Sequence, residues 1–243
     1  MAGHSKWATT KHRKFAQDVK RSSIFQKLAK EIYVAAKSGD PDPLNNSRLR
    51  LAIEKAKSEN MPKENIERAI KKATNNIEGE SYEEIRYEGY GPYGIAIMVD
   101  CLTDNRNRTA ASIRSYFNKY GGKLGTDGSV SYLFQRRGII VIDNTLSEDE
   151  VMEAVIDAGA LDFNVDFDFY EIITMPEDFL NVKKTLEDLG VKEFIKAEVV
   201  MLPNTYVNLK GEEKEKVQKL LDVIEEDDDV QAVYHNLDLG EVD

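Results

Sequence analysis

Residues 138–201 read GIIVIDNTLSEDEVMEAVIDAGALDFNVDFDFYEIITMPEDFLNVKKTLEDLGVKEFIKAEVVM. The apolar period changes repeatedly along this stretch. It predicts a strand at 138–143, a helix at 147–158, strands at 161–167 and 169–175, a helix at 177–189 and a strand at 193–201. That order, β-α-β-β-α-β, is the ferredoxin-like one, and its two halves of similar length suggest a duplicated βαβ unit. The unit is complete in itself, which makes its flanks informative. Upstream, strands at 84–88 and 95–102, a helix at 108–120 and a strand at 129–134 form a β-β-α-β series that lacks a helix and a strand. Downstream, 211–226 reads as a helix and 230–235 as a strand. A lone helix and strand cannot bury an apolar face. The tail therefore completes the upstream series, with the ferredoxin-like unit inserted between the two parts.

Further upstream the chain is helical. Ile24, Leu28, Ile32 and Ala35 recur at helical spacing until Gly39, Pro41 and Pro43 stop the run. A second helix spans 47–58, and a third opens on Pro62 and runs 63–73. Residues 1–10 read as a loose arm, 11–22 as weakly helical and 75–81 as a linker. The expected fold class is α+β: a helical N-terminal domain (1–78), a discontinuous α/β domain (79–135 with 203–243) and an inserted ferredoxin-like α/β domain (136–202).

The chain has 243 residues, 41% hydrophobic and 32% charged, a globular balance too charged for a membrane protein. No apolar stretch approaches the roughly 20 residues of a spanning helix, and the N-terminus has no apolar signal core. A single cysteine, Cys101, fits a reducing compartment, and a cytoplasmic location is expected. The net charge of −11 hides a strong asymmetry. Residues 1–75 carry 17 Lys and Arg against 8 Asp and Glu, net +9, whereas the remainder carries 16 against 36, net −20. A basic head on an acidic body points to a polyanion partner for the head.

Motifs for catalysis are wanting. Gly89, Gly91 and Gly94 match the spacing G-x-G-x-x-G, but a strand rather than a helix follows them, so the segment reads as a turn. There is no Walker A loop, no nucleophile elbow and no His or Cys spacing that suits a metal. Acidic pairs lie in runs at helix ends, as solvated surface does. No cofactor, metal, small-molecule substrate or membrane partner is expected, and a nucleotide hydrolase is the weakest of the functional readings.

The basic arm is the strongest signal. Lys6, Lys11, Arg13, Lys14, Lys20, Arg21, Lys27 and Lys30 stand against Asp18 alone among residues 1–30. Arg13, Lys20 and Lys27 recur every seven residues, along one face if the segment is helical. Trp7 and Phe15 either stack on bases or pack the arm down, and His12 lies within the KHRK run. Arg48 and Arg50 extend the basic surface. A second candidate is Thr103–Thr109, a strand-to-helix connection with Arg106 and Arg108 at a helix N-terminus, where phosphates bind readily.

Several blocks carry a resemblance: AGHSKW with KHRK (2–14), RLRLAIEKAK (48–57), NMPKENIERAIKKA (60–73), YEGYGP (87–92), LTDNRNRTA (102–110), GGKLGTDGSVSYLF (121–134) and DDVQAVYHNL (228–237). On these the chain resembles the YebC/PmpR family, which includes the mitochondrial translational activator of cytochrome oxidase. It departs at Ser47, where the family often has proline and the helix start is expected to be slightly weaker, and at Phe15 and Tyr93. The resemblance implies a helical N-terminal domain with two α/β domains. It also implies one of two roles: a DNA-binding transcriptional regulator, or a ribosome-associated factor that binds ribosomal or transfer RNA and eases translation through proline runs. From the residues and the resemblance together, the expected protein is a non-enzymatic, nucleic-acid-binding regulator of gene expression.

Overall fold

The computed structural model describes residues 21–75 and 81–239. Three helices come first: α1 (Arg21–Ser38), α2 (Ser47–Ser58) and α3 (Lys63–Asn75). The Asn46 side chain caps α2 by accepting from the Leu49 amide at 3.0 Å. Its Nδ2 donates to the Ala35 and Asp40 carbonyls, tying the end of α1 to the start of α2. The helix start is thus well capped without a proline at Ser47, because the capping residue is one position earlier. Asn60, with φ of 59°, ends α2 in the left-handed conformation that Asn tolerates. The Met61 amide then closes back on the Ala56 carbonyl. Ile32, Ala35, Leu49 and Ala56 are fully buried where the three helices meet.

The first sheet follows. β1 (Glu83–Tyr90) and β2 (Ala96–Thr103) form an antiparallel hairpin, after which α4 (Arg106–Lys119) leads to the two-residue β3 (Lys123–Leu124). The 129–134 strand expected from sequence is not formed. Residues 131–133 make a single 3₁₀ turn. The cause is Glu88, whose buried carboxylate accepts from the amides of Gly128, Val130 and Ser131 at 2.8–3.0 Å and holds them in a turn. Burial alone would raise this carboxyl; the amides outweigh it and hold the group below its usual value.

β4 (Phe134–Asp143) runs without a break through Arg136, Arg137 and Gly138, where a connection was expected. The two arginines pair with Met201 and Val200 and remain in register as the sheet continues. Gly138 is required there: a Cβ would lie 2.2 Å from Thr174 Oγ1 and 2.8 Å from the Phe179 ring. Then come α5 (Glu148–Asp157), β5 (Ala160–Val165), β6 (Phe169–Thr174), α6 (Phe179–Asp188) and β7 (Lys196–Pro203). The order across this second sheet is β5-β6-β4-β7, antiparallel throughout, as the β-α-β-β-α-β series demands. The helices cover one face, where Ile140, Ile142 and Ile172 meet Val151, Val155 and Val182.

The chain ends with β8 (Val207–Asn208), α7 (Gly211–Glu226), β9 (Val230–His235) and β10 (Leu237–Asp238). β9 pairs with β2, giving the first sheet the order β3-β1-β2-β9. Strands 130 residues apart thus share one sheet, and α7 packs beside α4 on its face, burying Phe117, Leu220 and Ile224. The opposite faces of the two sheets meet around Tyr234 of β9, which packs against both the cluster of Ala96, Met98, Val130 and Phe134 and the cluster of Ile139, Val141 and Val200. α2 lies on the second sheet, with Leu51 in its core and Glu54 accepting from Lys183 at 3.0 Å.

Candidate nucleic-acid interface

Lys6, Trp7, Lys11, His12, Arg13, Lys14 and Lys20 lie outside the described residues, and Arg21 is described only as the first residue of α1. The remaining five candidates fall in three places, and four of them are engaged within the fold.

The first place is the turn between α7 and β9. Lys27 Nζ donates to the Glu225 carbonyl at 2.7 Å, and Lys30, one helical turn on, donates to the Asp228 carbonyl at 3.0 Å. A helix C-terminus collects partial negative charge, so two cations from α1 cap α7. Burial lowers the Lys27 pKa, outweighing the acids of this turn. Lys30 also reaches Asp229 Oδ1 at 3.4 Å. Asp229 is the centre of the arrangement. It accepts from the buried hydroxyls of Thr103 and Thr109 at 3.1 and 2.9 Å, and from Arg108 at 2.8 Å. Burial pushes its carboxyl up, but Arg108, Thr109 and Lys30 prevail and hold it below the usual value.

Arg108 therefore does not stand free at the N-terminus of α4. It folds back to bridge Asp229 and Asp104, each at 2.8 Å. Asn105 caps the helix by accepting from the Arg108 amide. Thr103–Thr109 thus acts as a joint linking β2, α4, the turn after α7 and α1. Arg106 is different: it is exposed on the first turn of α4. The structure brings Lys27 and Arg108 to the same acidic corner and leaves Arg106 facing solvent beside it.

The third place is α2. Arg48 pairs with Glu84 of β1 at 2.6 Å. Arg50 donates to the Leu44 carbonyl at 3.0 Å, while its buried Nε has no partner among the described residues. Neither residue joins the corner around Asp229.

Sequence reasoning missed two further cations. Arg114 and Lys119 are exposed along α4 on the same outward side as Ala111, Ser115 and Asn118. The signal was available: 106–119 holds four basic residues and no acidic one, within a body that is otherwise strongly acidic. A groove of about 460 Å³ between α1 and α3 is lined by Phe25, Tyr33, Met61 and Tyr82, with Arg68 and Lys72 at its rim. Among the described residues no group of His, Cys, Asp or Glu is arranged to hold a metal ion, and no helix is long and apolar enough to cross a membrane.

The described residues form an α+β protein: three N-terminal helices whose Lys27 and Lys30 grip the turn after α7, followed by two four-stranded sheets. Residues 5–76 match the TACO1/YebC protein N-terminal domain and residues 82–237 match the TACO1/YebC second and third domain. The chain belongs to this family. A protein of Geobacillus thermodenitrificans named as a probable transcriptional regulatory protein is 59% identical over 98% of this chain and 97% of its own length. One of Bacillus subtilis, also named as a probable transcriptional regulatory protein, is 58% identical over 97% and 99%. The crystal structure of a conserved hypothetical protein from Aquifex aeolicus superposes with a TM-score of 0.80, at 48% identity over 93% of both chains. The relatives' names place the chain among regulators at the level of the family.

Proposed function

We propose that this protein is a non-enzymatic regulator of gene expression that grips nucleic acid through its basic N-terminal domain, residues 1–78. The discontinuous unit 79–135 with 203–243, and the unit 136–202 inserted in it, form the acidic body on which that domain is held. The observation that carries this reading is the segregation of charge, +9 in residues 1–75 against −20 in the rest. A body of that sign repels a polyanion, so the contact is directed to the head. Within the head the engaged cations Lys27, Arg48 and Arg50 serve position, as Arg108 does in the body. Phosphate contact is assigned to Lys6, Lys11, Arg13, Lys14, Lys20 and Arg21 and, separately, to the exposed Arg106, with Trp7 stacking. Cations on flexible stems neutralise phosphates and read few base edges, so binding is steeply salt-dependent and weakly sequence-specific.

The test is a salt titration on a duplex DNA and on a structured RNA. With about five phosphate contacts, log K against log salt should slope at roughly −4.5 on duplex and −3.5 on single strands. Lys11→Ala, Arg13→Ala and Lys14→Ala together should flatten the slope by about two to three units. An unchanged slope removes the arm from the interface. A preference for one duplex sequence, lost on single base changes, supports action on promoters; a preference for folded RNA supports action at the ribosome.

A further inference from the structure

The inserted sheet has an exposed edge. β5 is its outermost strand and pairs only with β6 among the described residues, leaving its outer edge without a strand partner, with the Phe163 amide donating to Asp162 Oδ1 at 3.0 Å. Five of the nine strongly exposed large apolar side chains among the described residues lie in this part of the fold: Met152 and Ile156 on α5, Leu161 and Val165 on β5, and Phe167 in the following turn, which is 90% exposed. Met152 and Ile156 lie one turn apart on an exposed side of α5, next to the buried Val151 and Val155, and α5 itself packs on β5. Val165 stands on the same face of the sheet as its neighbour Tyr170, which packs under the helices.

The charge around this edge has one sign. Between Gly138 and Val182 there are twelve Asp and Glu and no Lys, Arg or His. A second copy of the chain is a poor occupant, since β5 paired with β5 would set Asp162, Asp166 and the acids of α5 against themselves. Lys27, Lys30, Arg48 and Arg50 of the head are engaged within the fold, away from this edge.

We propose that the α5–β5 edge of the inserted unit docks a basic polypeptide segment of another protein, one that adds a strand along β5 and seats two or three large apolar side chains on Met152, Ile156, Val165 and Phe167. Main-chain pairing supplies affinity and the apolar side chains specificity, while the acidic surround selects a cationic partner. The site goes beyond the nucleic-acid reading and does not depend on it.

The probe is a synthetic 16-residue peptide alternating Lys with Leu and Phe. Its comparators are the same peptide with Glu for Lys and one with Ser for Leu and Phe. Full-length protein is titrated with each by fluorescence anisotropy, and the bound state is mapped by hydrogen exchange. The Lys–Leu/Phe peptide should bind and protect β5 and α5 from exchange. Ile156→Ser with Phe167→Ser should weaken it by about tenfold or more at an unchanged melting temperature, both positions being exposed. Equal binding of the Ser-containing peptide, or protection outside α5 and β5, would overturn the proposal. So would concentration-dependent self-association abolished by the double variant, which would make the occupant a second copy. Deletion of residues 1–20 that tightens peptide binding would make the chain's own arm the occupant and overturn it equally. Loss of nucleic-acid binding in any arm leaves this site untouched, so the two readings fail separately.

Discussion

Replacing Asp229 with Asn tests how the head is held. The carboxylate receives two hydroxyl donors that are fully buried, from Thr103 and Thr109, and two cationic donors nearer solvent, from Lys30 and Arg108. Asn keeps one oxygen and offers an NH₂ group to a ring of donors, so at least one buried charge-assisted bond is lost. In the variant one of the two hydroxyls can turn its single proton to the other, 2.8 Å away, which limits the damage. A buried hydrogen bond to a charged group contributes about 1.5–3 kcal/mol, so a loss of roughly 2 kcal/mol is expected. For a chain of this size that lowers the melting temperature by about 4–8 °C. Amide exchange in α1 should rise together with it, since Lys30 loses its side-chain partner.

The pH dependence has a definite sign. The folded Asp229 pKa lies below its ordinary value of 3.8, so its contribution is present in full above that value and is lost as pH falls through the folded pKa. The gap between wild type and Asp229→Asn, followed by circular dichroism melts, should be constant from pH 8 to about 5 and close toward pH 3. A gap that is absent at pH 7, or that persists unchanged at pH 3, would refute the assignment of Asp229 as the charged centre of the joint.

Three further outcomes are expected. Arg106→Ala should weaken nucleic-acid binding with no change in melting temperature, whereas Arg108→Ala should lower the melting temperature; parallel binding and melting measurements on the two single variants distinguish them, and equal effects would deny the joint. Gly138→Ala should destabilise by about 1–3 kcal/mol, because the new methyl would press on Thr174 and Phe179; chemical unfolding measures it, and a neutral result would mean the two strands separate easily. Cys101 sits in β2 with burial pushing its thiol up to about 12, so it should resist a thiol reagent in native protein and react at once in denaturant; fast native modification would show that this sheet opens.

Periodicity, stop signals and charge made most of the elements legible before any tertiary structure. The α2 and α7 ranges, the β-α-β-β-α-β order and the basic head all follow from local rules, because apolar spacing reports the face a segment must bury. Two local readings failed for the same reason. The turn at 131–133 is imposed by Glu88, over forty positions earlier, and the continuity of β4 through Arg136 and Arg137 is imposed by pairing with Met201 and Val200. Neither partner is near in sequence. The candidate site divided along the same line. Spacing and composition identified the cations, but a cation's role depends on what faces it. Lys27 and Arg108 stand against a turn 120 to 200 residues away, and only the fold brings Glu225 to the one and Asp229 to the other. Residue type and local pattern thus determined which segments form helices and strands and which end carries positive charge. Tertiary structure decided which charges are spent holding the molecule together, because ion pairing and burial depend on distances in space that one-dimensional spacing does not contain.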